Sequence, residues 1–190
     1  MYDQLTVITS NSNKFHSASV ILKEFGITPI QKTLDIPEIQ HEDSEAIVRD
    51  KAQKAFDIAK HPVVVTDDSW AIAGLKGFPG PYMKSMNHWL SAEDFLRLTL
   101  PLADRRIVLH QYLVYQDKKT QQLFSVTITG TLLTEIHGHS PGEPFASIVS
   151  LAEEGTSIAE MRANGKSAIA GKRTAWHHLG EWLTVQGLAP

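Results

Sequence analysis

Leu5-Thr6-Val7-Ile8-Thr9 runs directly into Ser10-Asn11-Ser12-Asn13-Lys14. The first five residues are short, mostly apolar and rich in β-branching, the pattern of a buried strand. The next four are small and polar, suited to a helix N-cap. Phe15, Ala18, Leu22 and Phe25 then recur at helical spacing, and Gly26 stops the run. Strand, polar loop and helix in that order predict a βα unit of an α/β fold.

Working outward, a second helix is expected from Ser44 to about Lys60, with Val48, Ala52, Ala55, Phe56 and Ala59 on its apolar face. His61-Pro62 breaks it, and Val63-Val64-Val65-Thr66 reads as a second buried strand ending in Asp67-Asp68-Ser69. Gly74 to Pro81 is a Gly/Pro-rich loop. Ser91-Ala92-Glu93-Asp94 resembles a capping box for a helix through Leu100. Arg106–Tyr115 and Leu123–Ile136 read as strands of a hairpin joined by polar residues 116–122. His137 to Pro144 forms a loop, and a short helix starts at Ser157 with Glu160 three residues on. A last helix carries Ala175, Leu179, Trp182 and Leu183 on one face. The expectation is an α/β fold with an elongated mixed sheet flanked by helices. The hairpin half forms a second lobe, with a central cleft between the two. No internal repeat or long linker divides the chain, so residues 1–190 are read as a single domain.

A chain of 190 residues buries a core without staples. Its 42% apolar and 21% charged residues match a soluble globular domain and argue against disorder. A net charge of -3 leaves no excess positive field for a nucleic acid duplex. A small anion is still accessible to a local cluster of lysines and backbone N–H groups. The absence of cysteine excludes disulfides, zinc thiolate sites and thiol catalysis. The expected location is the cytoplasm: no signal peptide and no apolar run of about 20 residues is visible.

Five stretches carry candidate chemistry. Thr9-Ser10-Asn11-Ser12-Asn13-Lys14 joins a strand to a helix N-terminus, where backbone N–H groups left free by small side chains meet phosphate oxygens. The same residues also make an ordinary N-cap with a solvated lysine. Asp67-Asp68-Ser69 places adjacent carboxylates at the end of a buried strand, a costly arrangement unless something neutralises them. Magnesium does so, taking carboxylate oxygens and keeping waters and phosphates as its other ligands. An Asx turn in solvent is the alternative. The Asp-x-Asp spacing of a phosphoaspartate nucleophile is absent. Glu38, in Asp35-Ile36-Pro37-Glu38, is either a distant metal ligand or a solvated loop carboxylate, and the stretch taken alone favours the solvated loop. Lys51 and Lys54 share a helix face, as phosphate clamps or as surface lysines. Gly77-Phe78-Pro79-Gly80-Pro81-Tyr82 fixes a rigid loop ten residues after the carboxylates. His137-Gly138-His139 and His177-His178 lack a third metal ligand at useful spacing and read as surface or loop histidines.

Together these stretches resemble the inosine triphosphate pyrophosphatase family over nearly the whole chain. That family has Thr-Gly-Asn-x-x-Lys after its first strand, matched by Thr9 to Lys14 with Ser10 for Gly. Glu38 fits its acidic residue before the second helix. Its Lys-Ala pair is met best by Lys54-Ala55, with Lys51 the alternative. Asp67-Asp68-Ser69 fits its Asp-Asp-Ser-Gly, with Trp70 for Gly. Lys76 to Tyr82 answers its Gly-Gly-x-Pro-Gly-x-Tyr loop.

The C-terminal half departs from the pattern. Of Phe-Gly-Tyr/Trp-Asp-Pro only Phe145 remains, and of Lys-x-x-x-Ser-His-Arg only Lys166, with Gly171 for His and Lys172 for Arg. These segments hold the purine in the family, so the phosphate half looks kept and the base half rewritten.

The resemblance implies magnesium-dependent hydrolysis of a nucleoside triphosphate, non-canonical in its base, to a monophosphate and pyrophosphate. Glu38 and Asp68 would hold Mg2+. Asp68, with Asp67, would orient or deprotonate water. Thr9, Ser10, Asn11 and Ser69 would bind phosphate, and Lys14, Lys54 and Lys166 would offset its charge. Phe145 and Lys172, in the segments that hold the base in the family, would bind substrate, and a homodimer is the default. Two other classes stay open: an inactive nucleotide-binding module, and an interaction protein presenting Trp70 and Trp89.

Overall fold

The computed structural model describes residues 5–152 and 155–187. Strand β1 (Leu5–Ile8) lies between β2 (Pro29–Lys32) and β3 (Val63–Ile72), parallel to both. Helix α1 (Ser12–Lys23) leads from β1 towards β2, and α2 (Ser44–Ala59) leads from β2 towards β3. Asn11 is the N-cap of α1, its Oδ1 accepting from the backbone N–H of Asn13 at 2.9 Å and of Lys14 at 3.1 Å. Asp43 caps α2, and the helix ends on Lys60 in the left-handed region with φ 59°.

Two-residue strand β4 (Pro79–Gly80) folds back antiparallel on β3, and α3 (Met83–Trp89) and α4 (Ala92–Thr99) follow. The capping box expected at Ser91 and Asp94 is present. Strands β5 (Arg106–Gln116) and β6 (Gln121–Leu132) form the hairpin, and β7 (Val149–Ser150) pairs antiparallel with β6. Helix α5 (Ile158–Ala163) opens with a capping box of Ser157 and Glu160, and α6 (Ala175–Val185) closes the order. The mixed sheet runs β2-β1-β3-β5-β6-β7, with β4 on β3.

The chain divides into two compact units. The first comprises Met1–Asp68, Gln111–Val126 and Arg173–Pro190; the second comprises Ser69–His110 and Thr127–Lys172. In the first unit strand alternation sorts the core onto two faces. Leu5, Val7, Val64, Leu113 and Tyr115 pack with Ala18 and Leu22 of α1 and with Trp176, Leu179 and Leu183 of α6. Ile8, Val63, Val65 and Val114 pack with Val48, Ala52 and Ala55 of α2. Ile36 joins this second face and ties the loop before α2 to the core.

Three expectations about elements are corrected. β3 does not end at Thr66. It continues to Ile72, because Trp70 and Ala71 find ladder partners in Gly80 and Pro79. The acidic pair therefore sits within a strand. β6 stops at Leu132, four residues before Ile136, where the chain turns away after pairing with β7. β2, α3, β4 and β7 are additional elements.

Candidate active site

The first unit gathers the charged residues of the N-terminal motifs. Strand β1 delivers the Thr9–Asn11 turn, and the first turn of α1 carries Lys14. Lys14 Nζ stands 3.2 Å from Asp68 Oδ2, each side chain about a quarter exposed at 23% and 24%. An ion pair at such exposure is worth about 0–1 kcal/mol, so it fixes geometry more than it holds the fold. On α2, Lys51 forms an ion pair with Glu38.

Asp67 is half-buried between these pairs. Burial pushes its carboxyl above the ordinary carboxylate range. Lys14 and Lys51 pull it down, and Asp68 and Glu38 push it further up. Three carboxylates and two lysines thus share one electrostatic neighbourhood. Asp67 Oδ1 also accepts from the Asp68 N–H at 2.9 Å, locking the two acids in register.

Lys51 and Lys54 behave differently. Lys54 Nζ pairs with Asp50 at 2.7 Å and donates to the Pro37 carbonyl at 2.9 Å, bracing the loop that carries Glu38. Lys51 is the one whose charge reaches Asp67. The resemblance put the family's lysine at Lys54 with Lys51 as the alternative; of the two, it is Lys51 that acts on the acidic pair.

Of the two readings of the β1–α1 turn, the helix N-cap is present. Asn11 N–H donates to Thr9 Oγ1 at 3.1 Å, and Asn11 Oδ1 takes the Asn13 and Lys14 N–H groups. The side chains of Thr9 and Asn11 thus take the N–H groups of Asn11, Asn13 and Lys14. Ser10 is exposed at the crest of the turn. Ser69, following Asp68 on β3, is buried at 4% exposure.

Among the described residues, no group of three His, Asp or Glu side chains forms a ready-made metal cage. The donor set still fits magnesium. Mg2+ usually binds one or two protein carboxylates and completes its shell with waters and phosphates. Glu38 and Asp68 offer such carboxylates, at present neutralised by lysines.

The sequence profile of the Ham1 family matches residues 5–182. The chain belongs to the Ham1 family. The resemblance drawn from the N-terminal motifs and this family membership agree. A "dITP/XTP pyrophosphatase" of Saccharolobus solfataricus is 29% identical over 180 residues, covering 95% of this chain and 93% of that protein. An "inosine triphosphate pyrophosphatase" of Tuber melanosporum is 29% identical over 203 aligned residues, covering 96% and 98%. The solved structure of a HAM1 protein from Coxiella burnetii superposes with a TM-score of 0.75 at 18% identity, covering 97% of this chain and all of that one, and shows the shared fold.

Within this Ham1 chain, Phe145, Lys166 and Lys172 lie in the second unit. Phe145, expected among the substrate-binding residues, is packed into the core of the second unit. It is 2% exposed, its ring 4.9 Å from that of Phe95 and edge-on to Trp70 at 5.7 Å. Its faces serve the core of that unit. Trp70 is the half-exposed ring of the three. Lys166 is exposed and Lys172 half-buried in the turns after α5. His177 serves the fold, because its Nδ1 accepts from the Thr174 N–H at 3.1 Å and caps α6. His137 lies 3.8 Å from Glu160 and 4.0 Å from Glu135.

Proposed function

We propose that this Ham1-family chain is a nucleoside triphosphate pyrophosphohydrolase that uses magnesium to release a monophosphate and pyrophosphate. The observation that carries this is the convergence of Asp67, Asp68 and Glu38 with Lys14 and Lys51. The names of its relatives favour a deaminated or oxidised purine, dITP, ITP or XTP, as substrate.

Phosphoryl chemistry needs positioning and charge neutralisation more than covalent help. The lysines hold the acids now and turn to phosphate oxygens when substrate arrives. Lys14 and Lys51 then offset triphosphate charge, and Glu38 and Asp68 would hold the magnesium ion. Bound magnesium would supply neutralisation of the phosphate charge that builds in the transition state. Asp68, with Asp67 half-buried beside it, orients the attacking water and takes its proton. Ser10 and Ser69 add hydroxyls on either side of the acids along the chain. We assign the enzyme to the cytoplasm as a homodimer, working as one functional domain. Among the described residues no helix is long and apolar enough to cross a membrane.

Pyrophosphate release from a panel of canonical, deaminated, oxidised and methylated nucleoside triphosphates, with and without magnesium, tests this. Magnesium-dependent release from dITP or XTP is expected. Asp68→Asn should lower it about 10²-fold or more. A folded sample that releases pyrophosphate from none of them overturns the assignment.

A further inference from the structure

We infer that Gln31 is a positioning residue that fixes the β1–α1 turn, and through it Lys14, from the neighbouring edge strand. β2 opens the sheet order, and three of its four residues, Gln31 among them, are exposed and owe nothing to the core. An exposed glutamine there normally spends its amide on water. Gln31 instead sends Nε2 along the edge to the Thr9 carbonyl, at 3.0 Å. The register sets Gln31 beside Val7, so the side chain reaches past the end of β1. The Thr9 N–H is meanwhile held by the Lys32 carbonyl at 3.1 Å. Both peptide groups of Thr9 are therefore tied to β2.

From Thr9 the restraint passes onward through hydrogen bonds. Thr9 Oγ1 accepts from the Asn11 N–H at 3.1 Å. Asn11 Oδ1 accepts from the N–H groups of Asn13 and Lys14. Lys14 ends the series 3.2 Å from Asp68. Gln31 thus acts at a distance: it touches no reacting group, and it sets where the turn and the Lys14 ammonium stand. This role rests on the phosphate-binding function proposed for Lys14, and its test separates the two.

Gln31→Ala removes the donor. Gln31→Glu keeps the shape and sets a carboxylate against a carbonyl. Gln31→Lys restores a donor. Gln53→Ala, which breaks a similarly exposed bond to Asp57 at 3.2 Å, is the control. Amide exchange at Asn11, Asn13 and Lys14 is followed by NMR, inorganic tripolyphosphate binding by calorimetry, and XTP turnover by pyrophosphate release. Loss of one such hydrogen bond predicts exchange about fivefold faster and tripolyphosphate binding about fivefold weaker in Gln31→Ala and Gln31→Glu. KM should rise in step while kcat holds, as for lost uniform binding. Gln31→Lys should restore slow exchange, and Gln53→Ala should change none of these. Exchange and tripolyphosphate affinity unchanged in Gln31→Ala overturn the inference. A wild type that binds tripolyphosphate but cleaves no nucleoside triphosphate overturns the pyrophosphohydrolase function instead, and exchange and binding still decide the role of Gln31.

Discussion

Asp67 carries the main tension at the scale of single residues. Its folded-state carboxyl titrates above the ordinary value of 3.8 because burial penalises the charge more than Lys14 and Lys51 relieve it. A carboxyl raised on folding contributes stability while protonated, below 3.8, and that contribution is lost as pH rises through the folded value. Asp67→Asn should therefore be more stable than wild type near pH 7, by about 2–4 °C in Tm, with the gap closing in acid. The same variant should lose turnover by about 10²-fold or more. Thermal melts across pH with parallel pyrophosphate assays check both, and equal melting at neutral pH would show that the charge is not under strain. The two lysines of α2 make a second comparison. Lys51→Met should weaken kcat/KM by about tenfold or more, the scale of a lost charge-assisted contact, and Lys54→Met by less. The acids and Lys14 were legible in sequence because a strand-loop-helix frame fixes where they fall. Choosing Lys51 over Lys54 needed the path of the loop held by Ile36 and Glu38, which no spacing within α2 contains. The packing of Phe145 on Phe95 was not legible, because an aromatic residue reads alike in sequence whether it meets a ligand or another ring.

Elements were legible where periodicity was long. α1, α2, α4, α6 and the β5–β6 hairpin follow their apolar patterns and caps to within a few residues. β2 was not, because only Pro29 of its four residues is buried and its strand character comes from pairing with β1. β4 and β7, two residues each, exist through their partners on β3 and β6. Close approach between elements shows in two glycines. At Gly130 on β6, a Cβ would overlap the Ser150 carbonyl oxygen and lie 2.7 Å from Leu151 Cδ2. At Gly180 on α6, it would meet the Phe25 ring, 2.7 Å from Cγ. A ring can tilt and a paired backbone carbonyl cannot. Gly130→Ala should thus cost about 3 kcal/mol or more and Gly180→Ala about 1–3 kcal/mol, by chemical denaturation. The reverse order would place the rigid contact at α6.

The whole molecule is assembled from segments far apart in sequence, and this decides how it tolerates truncation. Every charged member of the acid–lysine cluster lies within Met1–Asp68, yet the unit that positions them also takes Gln111–Val126 and Arg173–Pro190. Its last contribution is α6, which places Trp176, Leu179 and Leu183, none more than 3% exposed, against Leu22 of α1 and the β1, β3 and β5 side chains. Three large side chains buried at about 1.5–3 kcal/mol each amount to roughly 5–9 kcal/mol. A domain's whole stability is about 5–15 kcal/mol. A chain ending at Lys172 should therefore lose its cooperative unfolding transition and its near-ultraviolet circular dichroism. Turnover should vanish with them, although Glu38, Lys14, Lys51, Asp67 and Asp68 all remain. Leu179→Ala is the graded version, expected to cost about 2–5 kcal/mol while leaving a folded enzyme with near-normal KM. If the truncated chain melted cooperatively at the wild-type midpoint, α6 would be an appendage and α1 would be held in place by the sheet alone.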